Sequence, residues 1–166
     1  LNTTSLVSAT MPAGTVFTTT VDGTSYQFTT ATSVTSSSTG AGIPFNSVKI
    51  YEGTYVTSRY TVNSSDADQR FLLADSRADT DTLTVKVQTS SSDTTTSTYT
   101  LATDITQVTA SSKVYFLQEV EAGKFEVYFG DGVIGTALSD NNIVILTYIV
   151  SNNCLLYTSP SPRDWL

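Results

Sequence analysis

Apolar side chains recur at every second position through most of this chain, the spacing of strands that bury one face and wet the other. The densest instance is Lys113 to Val150, KVYFLQEVEAGKFEVYFGDGVIGTALSDNNIVILTYIV. It predicts two strands joined by a Glu-Ala-Gly turn, a Gly-Asp-Gly corner, a short bridging segment and one further strand. Val114, Phe116, Phe125, Val127, Phe129, Ile143, Ile145 and Ile149 are the period-2 positions expected to face inward. No stretch keeps a 3.6-residue apolar period over about ten positions, so a single helical turn around Asp104 to Val108 is all the helix expected.

Upstream, MPAGTVFTTTVDGTSYQFTTA (Met11 to Ala31) places Asp22-Gly23 between two β-rich runs, the sequence of a two-residue hairpin whose turn needs positive φ. Val16 or Phe17, with Tyr26 or Phe28, should face the core, and threonine at alternate positions leaves the register open. Thr32 to Gly42 reads as a loop or short edge strand. SVKIYEG turns Val48 and Ile50 inward, bends near Glu52-Gly53 and returns as TYVTSRYTV, with Val56, Ser58, Tyr60 and Val62 on one face. Asn63 to Asp68 is a polar crossing, Phe71 to Leu73 a short strand, and Leu83, Val85 and Val87 an alternating one. Thr89 to Ser112 begins as a polar loop and then supplies Tyr99, Leu101, Ile105 and Val108. The expected architecture is all-β: two small, mostly antiparallel, sandwich-like modules with little helix, residues 1–62 and 63–153, divided at the polar crossing.

Composition supports strands and narrows the chemistry. Serine and threonine make up about a third of the residues before Cys154; threonine favours strands, and serine competes for backbone hydrogen bonds in helices. Lys and Arg number 8 against 15 Asp and Glu, a net charge of −7, so a polyanion is repelled and no nucleic-acid partner is expected. No apolar run approaches the roughly 20 residues of a membrane-spanning helix, and no membrane partner is expected. The sequence has no His, and its one Cys and one Trp are Cys154 and Trp165. Both fall in CLLYTSPSPRDWL (Cys154 to Leu166), where polarity, proline content and rhythm break from what precedes. Cys154 to Asp164 resembles the translation of a transposase-type sequencing adapter, so residues 154–166 are expected not to be native and are set aside from fold reasoning. With Leu1 in place of an initiator Met, both ends read as cut and the chain as an internal fragment. Disulfides, thiolate chemistry, Cys/His zinc sites and histidine-based triads have no residues to work with before Cys154.

Three constellations invite a chemical reading. Gly130-Asp131-Gly132 with Gly135 has the look of a phosphate cradle, but no Lys-Ser/Thr pair follows and no helix N-terminus is expected there. Phe129, Gly130, Asp131, Gly132 and Gly135 read instead as a structural turn motif, the glycines supplying backbone angles and Asp131 accepting from nearby amides. Glu119 and Glu121 stand at i, i+2 on an expected strand and share a face, which suits acid–base work in principle and a solvated face more simply. Asp66, Asp68, Asp75, Asp79 and Asp81 raise a calcium site, yet they match no calcium-loop spacing and are typical of solvated turns. No catalytic, cofactor-binding or metal-ligating residue is assigned.

The ordered series PAGTVFTTTVDGTSYQFTT, VKIYEGTYVTSRYTVN, DQRFLLADSRADTDTLTVKVQ, TYTLATDI and KVYFLQEVEAGKFEV, then FGDGVIG and a strand ending TYIV, resembles the baseplate wedge subunit of contractile-tailed, T-even-like bacteriophages, related to J-like baseplate assembly proteins. The resemblance runs from about Pro12 to Asn153 and departs where Asp140-Asn141-Asn142 stands before the last strand in place of a glycine. It implies a structural, non-enzymatic subunit without cofactors. Such a subunit packs with copies of itself and other wedge proteins around the tail hub, in a virion baseplate assembled in the host cytoplasm. The alternative is an extracellular carbohydrate-binding or adhesin-like β-sandwich, in which exposed Tyr51, Tyr55, Tyr60 and Tyr115 would stack on sugars.

Overall fold

The computed structural model describes residues 7–39, 42–66 and 68–152, and the adapter-like run at 154–166 lies outside them. The described residues are all-β apart from two single turns of 3₁₀ helix, Ile105–Gln107 and Glu121–Gly123. The described residues form two compact units, one of residues 7–54 with 151–152 and the other of residues 55–150.

In the first unit, β1 (Ser8–Met11) pairs antiparallel with β4 (Val34–Ser37), which arises within the stretch read as loop or edge strand. β2 (Val16–Val21) and β3 (Thr24–Thr29) form the hairpin, and β5 (Tyr51–Glu52) joins the far side of β3. Asp22 has φ 50° and Gly23 φ 79°, so both central residues occupy the left-handed region that a type I′ turn requires. All of β2 is exposed, including Val16 and Phe17, whereas Tyr26 and Phe28 are half-buried. The expectation that Val16 or Phe17 faces a core is therefore corrected: β2 has a neighbouring strand, but among the described residues no layer covers either face. Ile50, also expected inward, is exposed because pairing with β3 begins only at Tyr51. Hydroxyls tie this unit together. Thr15 Oγ1 and Thr30 Oγ1 both donate to the Pro12 carbonyl, at 2.7 and 3.0 Å, and the Thr15 amide donates to Thr30 Oγ1 at 3.1 Å.

The second unit is a seven-stranded sheet that nearly closes on itself. Its strands are β6 (Thr54–Thr61), β7 (Phe71–Leu72), β8 (Ala78–Ser90), β9 (Asp93–Leu101), β10 (Val114–Glu119), β11 (Phe125–Phe129) and β12 (Ile143–Val150). Their order across the sheet is β6-β12-β8-β9-β10-β11-β7. Tyr55–Val62 thus belongs with the second unit, since β6 hydrogen-bonds to β12. Pairing is antiparallel for β8 with β9 and with β12, and for β11 with β7 and β10; β9 and β10 run parallel over Thr100↔Val114 and Leu101↔Tyr115. Much of the run at 89–101, read first as polar loop, is the strand β9, whose threonines suit a half-exposed pleat.

Leu73, Val85, Val127, Val144, Leu146 and Tyr148 are almost fully buried in one cluster, each contributing about 1.5–3 kcal/mol by leaving water. Val56, Tyr60 and Val62 from β6 and its end, and Leu83, Val85 and Val87 from β8, point into that cluster, as their spacing predicts. Two faces are corrected. On β12 the cluster takes Val144, Leu146, Tyr148 and Val150 rather than Ile143, Ile145 and Ile149, and every residue but Thr147 is buried. A strand that is apolar on both faces carries no alternation from which its inner face can be read. On β10 the cluster takes Tyr115 and Leu117, leaving Val114 and Phe116 half-buried on the other side.

Candidate functional site

The FGDG corner follows β11. Phe129 stays in the core, its ring edge-to-face with Phe71 at 5.5 Å and with Tyr99 at 5.4 Å. Gly130 then passes so close to the far arm of the loop that a Cβ on it would lie 2.3 Å from the Gly135 carbonyl carbon. Gly132 and Gly135 have φ of 89° and 85°, backbone angles that side chains disfavour. Asp131 Oδ1 accepts from the Val133 and Ile134 amides, both at 2.9 Å, and Gly132 N donates to Gly135 O at 3.0 Å. Those two amides, Ile134 first, hold the Asp131 carboxyl below the usual carboxylate range. The loop is stitched to its neighbour where Gly135 N donates to Thr109 O and Thr136 N to Ser112 O. The Gly132, Val133 and Ile134 amides are thus taken up within the corner and the Gly135 amide by the neighbouring Thr109 carbonyl, while the Val133 and Ile134 side chains are left exposed at the tip.

The two ends of the seven-stranded sheet, β6 and β7, meet through side chains. Tyr60 on β6 donates its hydroxyl to the Leu72 carbonyl at 2.6 Å and packs edge-to-face on Phe71. Burial pushes the Tyr60 phenol up, which keeps it protonated as a donor. Gln69 Nε2 reaches the Thr61 carbonyl at 2.8 Å while its Oε1 accepts from the Asn63 amide. Tyr148 OH accepts from the Ala74 amide at 3.2 Å, tying β12 to the segment after β7.

Beside this seam lies a groove of about 600 Å³ lined by residues including Asn63, Asp66, Arg70, Glu126, Phe129 and Leu138. Glu126 is 4% exposed and accepts from Arg70 Nε at 2.9 Å and from Tyr128 OH at 3.1 Å. The Arg70 guanidinium holds the Glu126 carboxyl below its ordinary value against the opposing effect of burial. Sequence reasoning missed this pair because Arg70 and Glu126 are remote in the chain, and only the β7–β11 pairing brings their strands together.

The remaining candidates stay dispersed. Glu119 ends β10 and Glu121 sits in the following 3₁₀ turn, both exposed, so the two carboxylates are not on one strand. Asp66, Asp75 and Asp79 each accept from an amide two residues on, and Asp75 also pairs with Arg77 at 2.7 Å. Among the described residues no group of three or more His, Cys, Asp or Glu converges as a metal site. Tyr115 is buried, Tyr51 and Tyr55 are half-buried, and Tyr60 is engaged at the seam. Tyr115 and Tyr60 are thus committed to the interior and the seam, and among the four expected sugar-stacking rings none is fully exposed.

What these elements define is a β-built scaffold: a nearly closed sheet, a self-satisfied loop corner and exposed strand edges. The chain belongs to the family of bacteriophage baseplate wedge protein gp6, third domain, whose pattern it matches over residues 57–151. That span coincides almost residue for residue with the seven-stranded unit. No curated protein sequence matches the chain significantly. Membership makes this a structural protein of the phage tail baseplate that assembles with other baseplate proteins.

Proposed function

We propose that this chain is a structural subunit domain of the baseplate wedge of a contractile-tailed phage. It packs around the tail hub against other wedge proteins and copies of itself, in a baseplate assembled in the host cytoplasm. The observation that carries the reading is the coincidence of the family match, residues 57–151, with a separately packed unit, residues 55–150. The role is non-catalytic, and specificity comes from strand edges and loop tips. Neither nucleic acid nor membrane is a partner: the net charge of −7 disfavours phosphate contacts, and no helix among the described residues is long and apolar enough to cross a bilayer. Phe129, Gly130, Asp131, Gly132 and Gly135 serve as the structural corner that holds the Val133–Ile134 tip in a fixed shape.

Co-expression with the products of neighbouring tail genes tests this reading. The chain should co-elute with at least one wedge protein on size exclusion. Failure to join any of them, together with reproducible sugar binding on a glycan array, would overturn it.

A further inference from the structure

The strand least explained by the fold is β2. All six of its residues pair with β3, from Val16↔Thr29 to Val21↔Thr24, and among the described residues no strand lies on its other edge. In a two-residue hairpin the pair next to the turn, Val21↔Thr24, exchanges both hydrogen bonds. Phe17, Thr19 and Val21 therefore turn their backbone groups toward β3, while Val16, Thr18 and Thr20 turn theirs outward. The whole strand is exposed. Edge strands are normally protected by charges, proline or bulges, and VFTTTV has none of these: no charge, no proline and an unbroken register.

We propose that the outer edge of β2 is a pairing surface for a second copy of this chain, whose own β2 adds antiparallel across a twofold axis at Thr18. That register sets Val16 opposite Thr20, Thr18 opposite Thr18 and Phe17 opposite Thr19, and forms about six backbone hydrogen bonds. Aromatic and β-branched side chains then face one another, a favourable cross-strand combination. The occupant follows from charge. Two chains of net charge −7 repel, so contact is favoured where each is locally neutral, and β2 carries no ionised side chain. The nearest carboxylate in sequence, Asp22, falls opposite Gly14 of the other copy, and the two Asp22 groups end up about 26 Å apart, well beyond the screening length. An uncharged strand gives no electrostatic means of selecting a different protein, whereas its pattern is complementary to itself. The inference gives the proposed self-association a surface. It rests on that reading for its purpose and on the β2 edge alone for its geometry.

Sedimentation of the full 166-residue chain tests it. The unaltered chain should show a reversible monomer–dimer equilibrium, and the Val16, Thr18 and Thr20 amides should exchange more slowly as concentration rises. Thr18→Lys sets two ammonium groups side by side at the axis and should weaken the dimer about tenfold or more. Thr18→Pro, which deletes an outward amide that an edge strand can spare, should do the same. Ser25→Lys, on the exposed part of β3, should leave dimerisation unchanged. A monomer at all concentrations, concentration-independent exchange of those three amides, or undiminished dimerisation of both Thr18 variants would overturn the proposal. A monomer that still co-elutes with wedge proteins refutes the β2 pairing alone, and a dimer that joins none of them and binds sugar reproducibly refutes the wedge reading alone.

Discussion

The β2–β3 and β8–β9 hairpins are built from much the same material, threonine alternating with valine and aromatic residues around a two-residue turn. In the first, Val16 and Val21 are more than half exposed; in the second, Val85 is 0% and Tyr99 6% exposed. The difference lies outside the hairpins. β8 has β12 on its other side and a cluster of side chains beneath it, whereas β2 has neither among the described residues. Among the described residues every buried apolar side chain lies between Val62 and Val150, and the fully buried side chains of the smaller unit are Thr29 and Thr30. Alternation makes a strand, and a remote segment decides whether that strand has an inside.

The contrast is sharpest in truncation. Leu146→Ala, at the fully buried centre of β12, should cost about 2–5 kcal/mol, while Val16→Ala should stay within about 0.5 kcal/mol. Urea midpoints would read both, and equal losses would abolish the distinction. Gly130→Ala forces a methyl group into the Gly135 backbone and should cost about 1–3 kcal/mol, visible as a lower thermal midpoint. Next in size is Tyr60→Phe, which removes the donor to the Leu72 carbonyl at the seam. It should cost about 0.5–1.5 kcal/mol, with faster amide exchange in β7.

The smallest effect depends on pH. Because Arg70 depresses the Glu126 carboxyl in the folded state, its stabilising contribution is complete above the unfolded-state value of about 4.3 and is lost as pH falls through the lower folded value. Asp75, held at about 2 by Arg77, acts in the same direction further down the scale. Glu126→Gln should therefore flatten the fall in urea midpoint as pH drops below the unfolded-state value of about 4.3. An unchanged slope would show that the pair contributes nothing to acid sensitivity.

The Asp22-Gly23 turn was legible because few dipeptides adopt two successive positive φ angles. The inner faces of β6, β8 and β11 were legible because each buries one face in the cluster. Those of β10 and β12 were not, since their apolar residues fall on both sides and a period of two has no phase there. The sheet order, with the last strand inserted between β6 and β8, and the parallel β9–β10 pair arise from long-range contacts that leave no local mark. The glycines of the corner could be picked out by type, but the clash that makes Gly130 necessary depends on where Gly135 returns. Arg70 with Glu126 carried no signal, being an ordinary arginine and an ordinary strand glutamate until β7 and β11 pair.

The position of β12 has a consequence for timing. β6 and β8 obtain their shared neighbour only from Ile143–Val150, so a ribosome must pass that point before either can complete its hydrogen bonding. Until then a nascent chain displays two unsatisfied strand borders, the condition in which β-rich chains stick to one another. Closure over so long a span of sequence is also slow. A chain halted before β12 carries both open borders, and one that has reached Val150 carries the whole seven-stranded sheet.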